Sequence, residues 1–167
     1  MACLGVHFAL SDEDVSSLLA TACDEDRLHF LQDEIEERYF QDPGAYIAQS
    51  DKAWDAMHRL LSGGPLSYEG GNYPLSHVVI GGEPIYLQDD YIMSLKTPAQ
   101  VAEVATALGA LSQGEFRARY DAIDAVDYGF DLSNEDFEYT WSWFQQVRSL
   151  FQRAASENRH VLFTVDQ

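Results

Sequence analysis

Residues 133–156 place apolar side chains on two sides of one helix, and a chain of ordinary domain size cannot leave both sides in water. Ser133 is a helix-capping residue, and Phe137, Trp141, Phe144, Val147 and Phe151 then recur at helical spacing as one stripe. Tyr139, Trp143 and Leu150 form a second stripe. Such a helix either lies deep in a core or offers its second face to a partner, so the rest of the chain must be read for what packs around it.

Both ends of the chain read as strands. Leu4, Val6, Phe8 and Leu10 alternate with Cys3, Gly5, His7 and Ala9, the period of a strand with one strongly apolar face, and His160 to Val165 predicts a closing strand able to pair with it. Between them Ser11 caps a helix carrying Val15, Leu18, Leu19 and Ala22, with Asp12, Glu13 and Asp14 in the first turn, where the helix dipole favours acids. Asp24 to Phe40 predicts a second helix, with Leu28, Leu31, Ile35 and Tyr39 inward and Asp42-Pro43-Gly44 ending it. Ser50 to Leu61 predicts a third, bearing Trp54, Met57 and Leu61 on one face and stopped by Ser62-Gly63-Gly64-Pro65.

Leu66 to Asp90 is rich in Gly, Pro, Tyr and Asn and reads as irregular, around the short apolar run His77 to Ile80. Tyr91 to Lys96 predicts a strand. Thr97-Pro98-Ala99-Gln100 has the capping pattern of a helix continuing through Val101, Val104, Ala105, Leu108 and Leu111, and Ser112 with Glu115 opens another through Phe116 and Tyr120. Helices outnumber strands without a βαβ alternation. The expected fold is therefore α+β, amphipathic helices packed around a small sheet that includes the N- and C-terminal strands, as a single domain over 1–167.

Twenty-eight acidic against ten basic residues give a formal net charge of -18. Such a field repels phosphate backbones and attracts cationic partners, so direct nucleic-acid binding is excluded as an expectation and a basic partner is favoured. Cys3 and Cys23 are too few for a disulfide framework, which fits a reducing compartment. No basic leader opens the sequence and no apolar run approaches bilayer length. The expected setting is the cytoplasm, without membrane contact.

The segment Asp51-Lys52-Ala53-Trp54-Asp55-Ala56-Met57-His58-Arg59-Leu60-Leu61-Ser62-Gly63 resembles the Lys-x-Trp…His-x-Leu-Leu-x-Gly helix of the YfbM-like family of uncharacterised bacterial proteins. Gly81-Gly82 after His77-Val78-Val79-Ile80, the junction Leu95-Lys96-Thr97-Pro98-Ala99-Gln100-Val101, and the aromatic helix before the last strand extend the resemblance over nearly the whole chain. It departs at Met57-His58-Arg59, where the family has an aromatic after the His, and at Tyr91-Ile92-Met93, where a Gly-Pro pair is expected. The resemblance implies a compact α+β domain of the bacterial cytoplasm and carries no activity with it.

Five histidines, His7, His29, His58, His77 and His160, show no zinc-ligand spacing, and Asp89-Asp90 does not follow the calcium-loop pattern. Nucleophile-elbow, phosphate-cradling and dinucleotide motifs are missing too. No catalytic residue, metal or cofactor is therefore expected. Trp54 and His58 share a helix face, with Asp55 three residues before the imidazole; they either pack in the core or, with Gly81 and Gly82, line a pocket between their helix and residues 67–82.

The segment from Tyr120 to Val147 contains seven acids and no Lys or Arg, interleaved with aromatics. Aromatic anchors bordered by charge are what an electrostatically steered interface uses. The expected partner-binding residues are Asp121, Asp124, Asp127, Tyr128, Phe130, Asp131, Glu135 and Tyr139. The reading is a non-enzymatic binding protein, an inhibitor of immunity type that covers a basic toxin or effector. The alternatives are an enzyme or small-ligand domain using the Trp54/His58 pocket, and a homodimeric housekeeping protein associating through Tyr139, Trp143 and Leu150; monomer and homodimer both remain open.

Overall fold

The first and last strands lie side by side, as their complementary periodicity predicts: β1 (Gly5–Leu10) pairs antiparallel with β5 (His160–Asp166), placing Phe163 opposite His7 and Leu162 opposite Phe8. In this computed structural model, which describes residues 3–42 and 46–167, β2 (Ile47–Asp51), β3 (Glu83–Pro84) and β4 (Tyr91–Lys96) complete one antiparallel sheet in the order β2-β1-β5-β4-β3. Pro43 and Gly44, expected to end a helix, lie outside the described residues. The α+β expectation is met.

The pleat sends alternate residues to two helical layers. Phe8, Leu10, Met93, Leu95 and Leu162 face α1 (Asp12–Leu19) and the helix from Asp24, where Val15, Leu18, Leu31 and Ile35 are buried against them. That helix is α2 (Asp24–Phe30) and α3 (Glu37–Gln41) joined by a π-helical stretch, Leu31–Glu36. Ala9, Phe163 and Val165 face the larger layer of α4 (Trp54–Ser62), α5 (Pro98–Ala110), α6 (Gln113–Asp121), α7 (Ala125–Tyr128) and α8 (Asn134–Ser156).

The doubly apolar helix is central. In α8, Phe137, Thr140, Phe144, Val147, Leu150, Phe151 and Ala154 are buried, so Leu150 of the second stripe belongs to the core. Trp143 is half-buried, and Tyr139 retains 37% of its exposure. Ser133 caps the helix and Thr97 with Gln100 forms a full capping box on α5, as their spacing predicts.

One boundary differs. Ser50 and Asp51 lie in strand β2 and not in the Trp54 helix; Asp51 turns the chain at a φ of 49°, and α4 begins at Trp54. The pairing of β2 with β1 is non-local, so helical spacing on the residues that follow gives no sign of it.

The irregular segment before β3 is threaded through the core, with Val78, Val79 and Ile80 at 3% exposure or less. Its backbone polar groups are paired with buried side chains in place of a ladder. His7 Nε2 meets the Val78 carbonyl at 2.8 Å, Lys96 Nζ donates to the Val79 carbonyl, Ser94 Oγ donates to the Ile80 carbonyl at 2.6 Å, and the Ile80 N–H donates to His58 Nδ1 at 3.4 Å. Each buried backbone group left unpaired would cost about 1–3 kcal/mol, which accounts for His7, Ser94 and Lys96 on the sheet face that carries Ala9 and Phe163.

Burial pushes the His7 imidazole down to about 3, helped by nearby Lys96, and burial pushes His58 down to about 4. Both are neutral in the fold, whereas in the unfolded chain they take up protons below pH about 6.5. The unfolded state then binds more protons, so stability falls as pH drops from 6.5 towards 4. At pH 5 the loss is about 2 kcal/mol for each histidine. Urea unfolding of the His58→Gln variant should show a shallower fall than the parent between pH 7 and 5; equal slopes would mean that His58 titrates freely in the fold.

Candidate functional site

Two sequence regions expected to act separately meet at one place. The first turn of α4 supplies Trp54 and Asp55, α7 ends in Tyr128, Phe130 follows it, and the first turns of α8 supply Asp136 and Tyr139. Together with Cys3 and Lys52 they line a cleft of about 400 Å³.

Local signals place each piece. Asp124 caps α7 by accepting from the N–H groups of Val126 and Asp127 at 3.0 and 3.3 Å, and Gly129, at a φ of 78°, closes it in the left-handed conformation that favours glycine. Ser133 then starts α8. Asp136 Oδ2 accepts from the Tyr120 hydroxyl at 2.7 Å and the Tyr128 hydroxyl at 3.1 Å, tying α6, α7 and α8 together. The Trp54 indole N–H donates to the Cys3 carbonyl at 2.9 Å, which holds the ring against the start of β1.

Arg59 links α4 to α7. Its guanidinium donates to Asp55 at 2.5 Å and to Asp127, and lies 5.8 Å from the centroid of the Tyr128 ring. Burial raises the pKa of Asp55 against the lowering pull of Arg59, and the charges of Asp127 and Asp136 raise it further. Burial likewise raises Tyr128, with the charges of Asp136 and Asp55 adding to it. Asp55 thus feels the charge of Asp136 as well as that of Asp127.

The remaining expected residues are distributed differently. Phe130 is 67% exposed, and Asp131 and Glu135 are exposed beside it, while Asp121 is engaged by Arg117 at 2.9 Å. The expected pocket between α4 and residues 67–82 is corrected by packing. His58 is 1% exposed and bonded to the Ile80 backbone; a side chain on Gly81 would collide with the Ser76 carbonyl, and one on Gly82 would sit 2.7 Å from the Leu95 carbonyl. Those glycines allow close backbone approach. A second cavity, of about 480 Å³, opens on the other side of Arg59, between Gly63-Gly64-Pro65 and Arg119, Ile123 and Asp124.

Arg59 and Asp136 were not singled out by sequence reasoning. The Asp55–Arg59 spacing of four on a helix was a legible sign of the ion pair, whereas Asp136 looks like an ordinary acid of a helix first turn. Among the described residues, no group of three or more His, Cys, Asp or Glu is placed to hold a metal ion, and no helix is long and apolar enough to cross a membrane.

Arg59→Met removes the tie between α4 and α7 and leaves Asp55 partly buried without its cation. The expected loss is about 1–2 kcal/mol, with faster hydrogen exchange at the amides of residues 125–129. Unchanged exchange there would show that α7 is held by its aromatic packing alone.

Comparison with known proteins supports the same architecture without adding chemistry. A search of curated proteins gives no match. The crystal structure of YfbM from Escherichia coli, a protein of unknown function, is similar at a TM-score of 0.70 and 21% identity, over 97% of this chain and 99% of that one. At that identity the likeness is one of fold. Residues 1–164 match the family described as Domain of unknown function (DUF1877), and the chain therefore belongs to this YfbM-like family.

Proposed function

We propose that this chain is a cytoplasmic, non-enzymatic binding protein that engages a basic protein, as an inhibitor of immunity type engages a toxin or effector. The observation that carries the reading is the convergence of Trp54, Tyr128, Phe130 and Tyr139 with Asp55 and Asp136 on one cleft. In its lining Phe130, at 67% exposure, offers an apolar anchor. Burying such anchors supplies affinity, while the surrounding acids and the net charge of -18 steer a cationic surface into place.

Exposed Asp131 and Glu135 extend the negative field, Glu135 from the first turn of α8, where an acid also suits the helix dipole. Asp124, Asp127 and Asp121 each hold structure as well, through the α7 cap, Arg59 and Arg117 respectively. One observation favours a second reading, a small-ligand domain: the 480 Å³ cavity bounded by Arg59 and Arg119 has the size of a ligand site. Native mass spectrometry of the purified protein separates the two, since a retained small molecule supports the second.

The test is capture of a basic protein from the native lysate, followed by titration of the purified pair with variants. Phe130→Ser is expected to weaken binding about tenfold through loss of an anchor, and Asp131→Lys with Glu135→Lys to slow association and flatten its salt dependence. A captured partner that binds all these variants like the parent removes this face from the interaction.

A further inference from the structure

We propose that the cleft at the start of α4 is a receptor for a single guanidinium group, an arginine side chain presented by the basic partner. This rests on the protein-binding reading above and specifies what the cleft itself recognises.

Both carboxylates of the cleft keep one oxygen in reserve. Asp55 Oδ1 is taken by Arg59 and Asp136 Oδ2 by the two tyrosine hydroxyls, while Asp55 Oδ2 and Asp136 Oδ1 have no hydrogen-bond partner among the described residues. Their charges are not balanced locally. Arg59 alone is shared between Asp55 and Asp127, Asp136 has no ion pair, and exposed Lys52 on the rim forms none among the described residues. Asp55 and Asp136 line the cleft together with the exposed rings of Phe130 and Tyr139 and the largely buried rings of Trp54 and Tyr128.

The chain already holds one guanidinium in this way. Arg59 pairs with Asp55 and lies over Tyr128, approaching from the side of the Gly63-Gly64-Pro65 cavity. The same tyrosine and the same aspartate line the cleft, where Trp54 and the exposed ring of Phe130 add further aromatic surface. A planar guanidinium stacks on such rings while donating to carboxylates through its fixed fork; a lysine ammonium is more strongly hydrated and lacks the flat face. The cleft volume of about 400 Å³ admits a side chain of that length and excludes a whole folded element.

The test is an NMR titration of the full chain with the capped peptide Gly-Arg-Gly, and with its citrulline and lysine counterparts. The indole N–H of Trp54, bonded to the Cys3 carbonyl, is the reporter inside the cleft. Saturable shifts there, with the arginine peptide binding about tenfold more tightly than neutral, isosteric citrulline and more tightly than lysine, are expected. Asp136→Asn should remove most of that preference. Because Asp136 also anchors two tyrosines, Phe130→Ser, on an exposed ring, and Lys52→Gln provide independent readings: the first weakens the arginine peptide, the second tightens it. No saturable shift, or equal binding of the citrulline or lysine peptide, overturns the assignment. If a captured partner still loses affinity on Phe130→Ser in that case, the protein-binding reading survives its failure.

Discussion

The fold depends on how residues 78–81 are held inside it. An irregular segment in a core brings backbone carbonyls and amides into a place without water, and each must find a partner. Here the partners come from the sheet and from α4. His7, Ser94 and Lys96 stand on the sheet face that carries Ala9 and Phe163, and His58 reaches the segment from the helix. His7, Phe163 and Ser94 are direct cross-strand neighbours, so the polar row is fixed by strand register. Once the segment is seated, α4 is pinned against it, and the first turn of α4 is where the cleft begins.

Cations are few, and several of them are structural ties. Arg27 donates to the carbonyls of Leu18 and Ile85 and so joins α1, α2 and the strand region beyond β3; Arg38 binds Asp14 of α1 at 2.7 Å; Arg159 donates to the Ala9 carbonyl and lies 3.8 Å from the centroid of the Tyr46 ring. Lys96 is buried altogether, and burial alone lowers its pKa well below the usual lysine value. With most positive groups committed to internal ties, the outward field is set by acids. That division of labour lets a strongly charged chain keep a tight core and still present a negative surface.

The cleft gathers both tendencies. Its aromatic lining continues the core that α8 shares with α6, through Tyr120, Tyr128 and Phe137, and its carboxylates sit where that core reaches solvent. Asp136 ties two tyrosines through one carboxylate oxygen and Arg59 holds Asp55 through one, which leaves the second oxygen of each without a hydrogen-bond partner among the described residues. These ties hold Asp55, Tyr128 and Asp136 in place within the fold itself.

The sequence by itself determined what depends on neighbours a few residues apart. The caps at Ser11, Thr97, Ser112 and Ser133, the stop at Gly63, the acids at helix starts and the pairing periodicity of the terminal strands all follow from local hydrogen bonding and side-chain spacing. The tertiary structure alone decided that Ser50 extends an edge strand, that Val78 to Ile80 run through the core, and that His58 is consumed by that segment. It also decided that Trp54 opens towards Tyr128, Phe130 and Tyr139 and away from the glycines at 81 and 82. The reason is physical: helix periodicity states which face is apolar, but which other face it meets is set by packing and by buried polar partners contributed from distant parts of the chain.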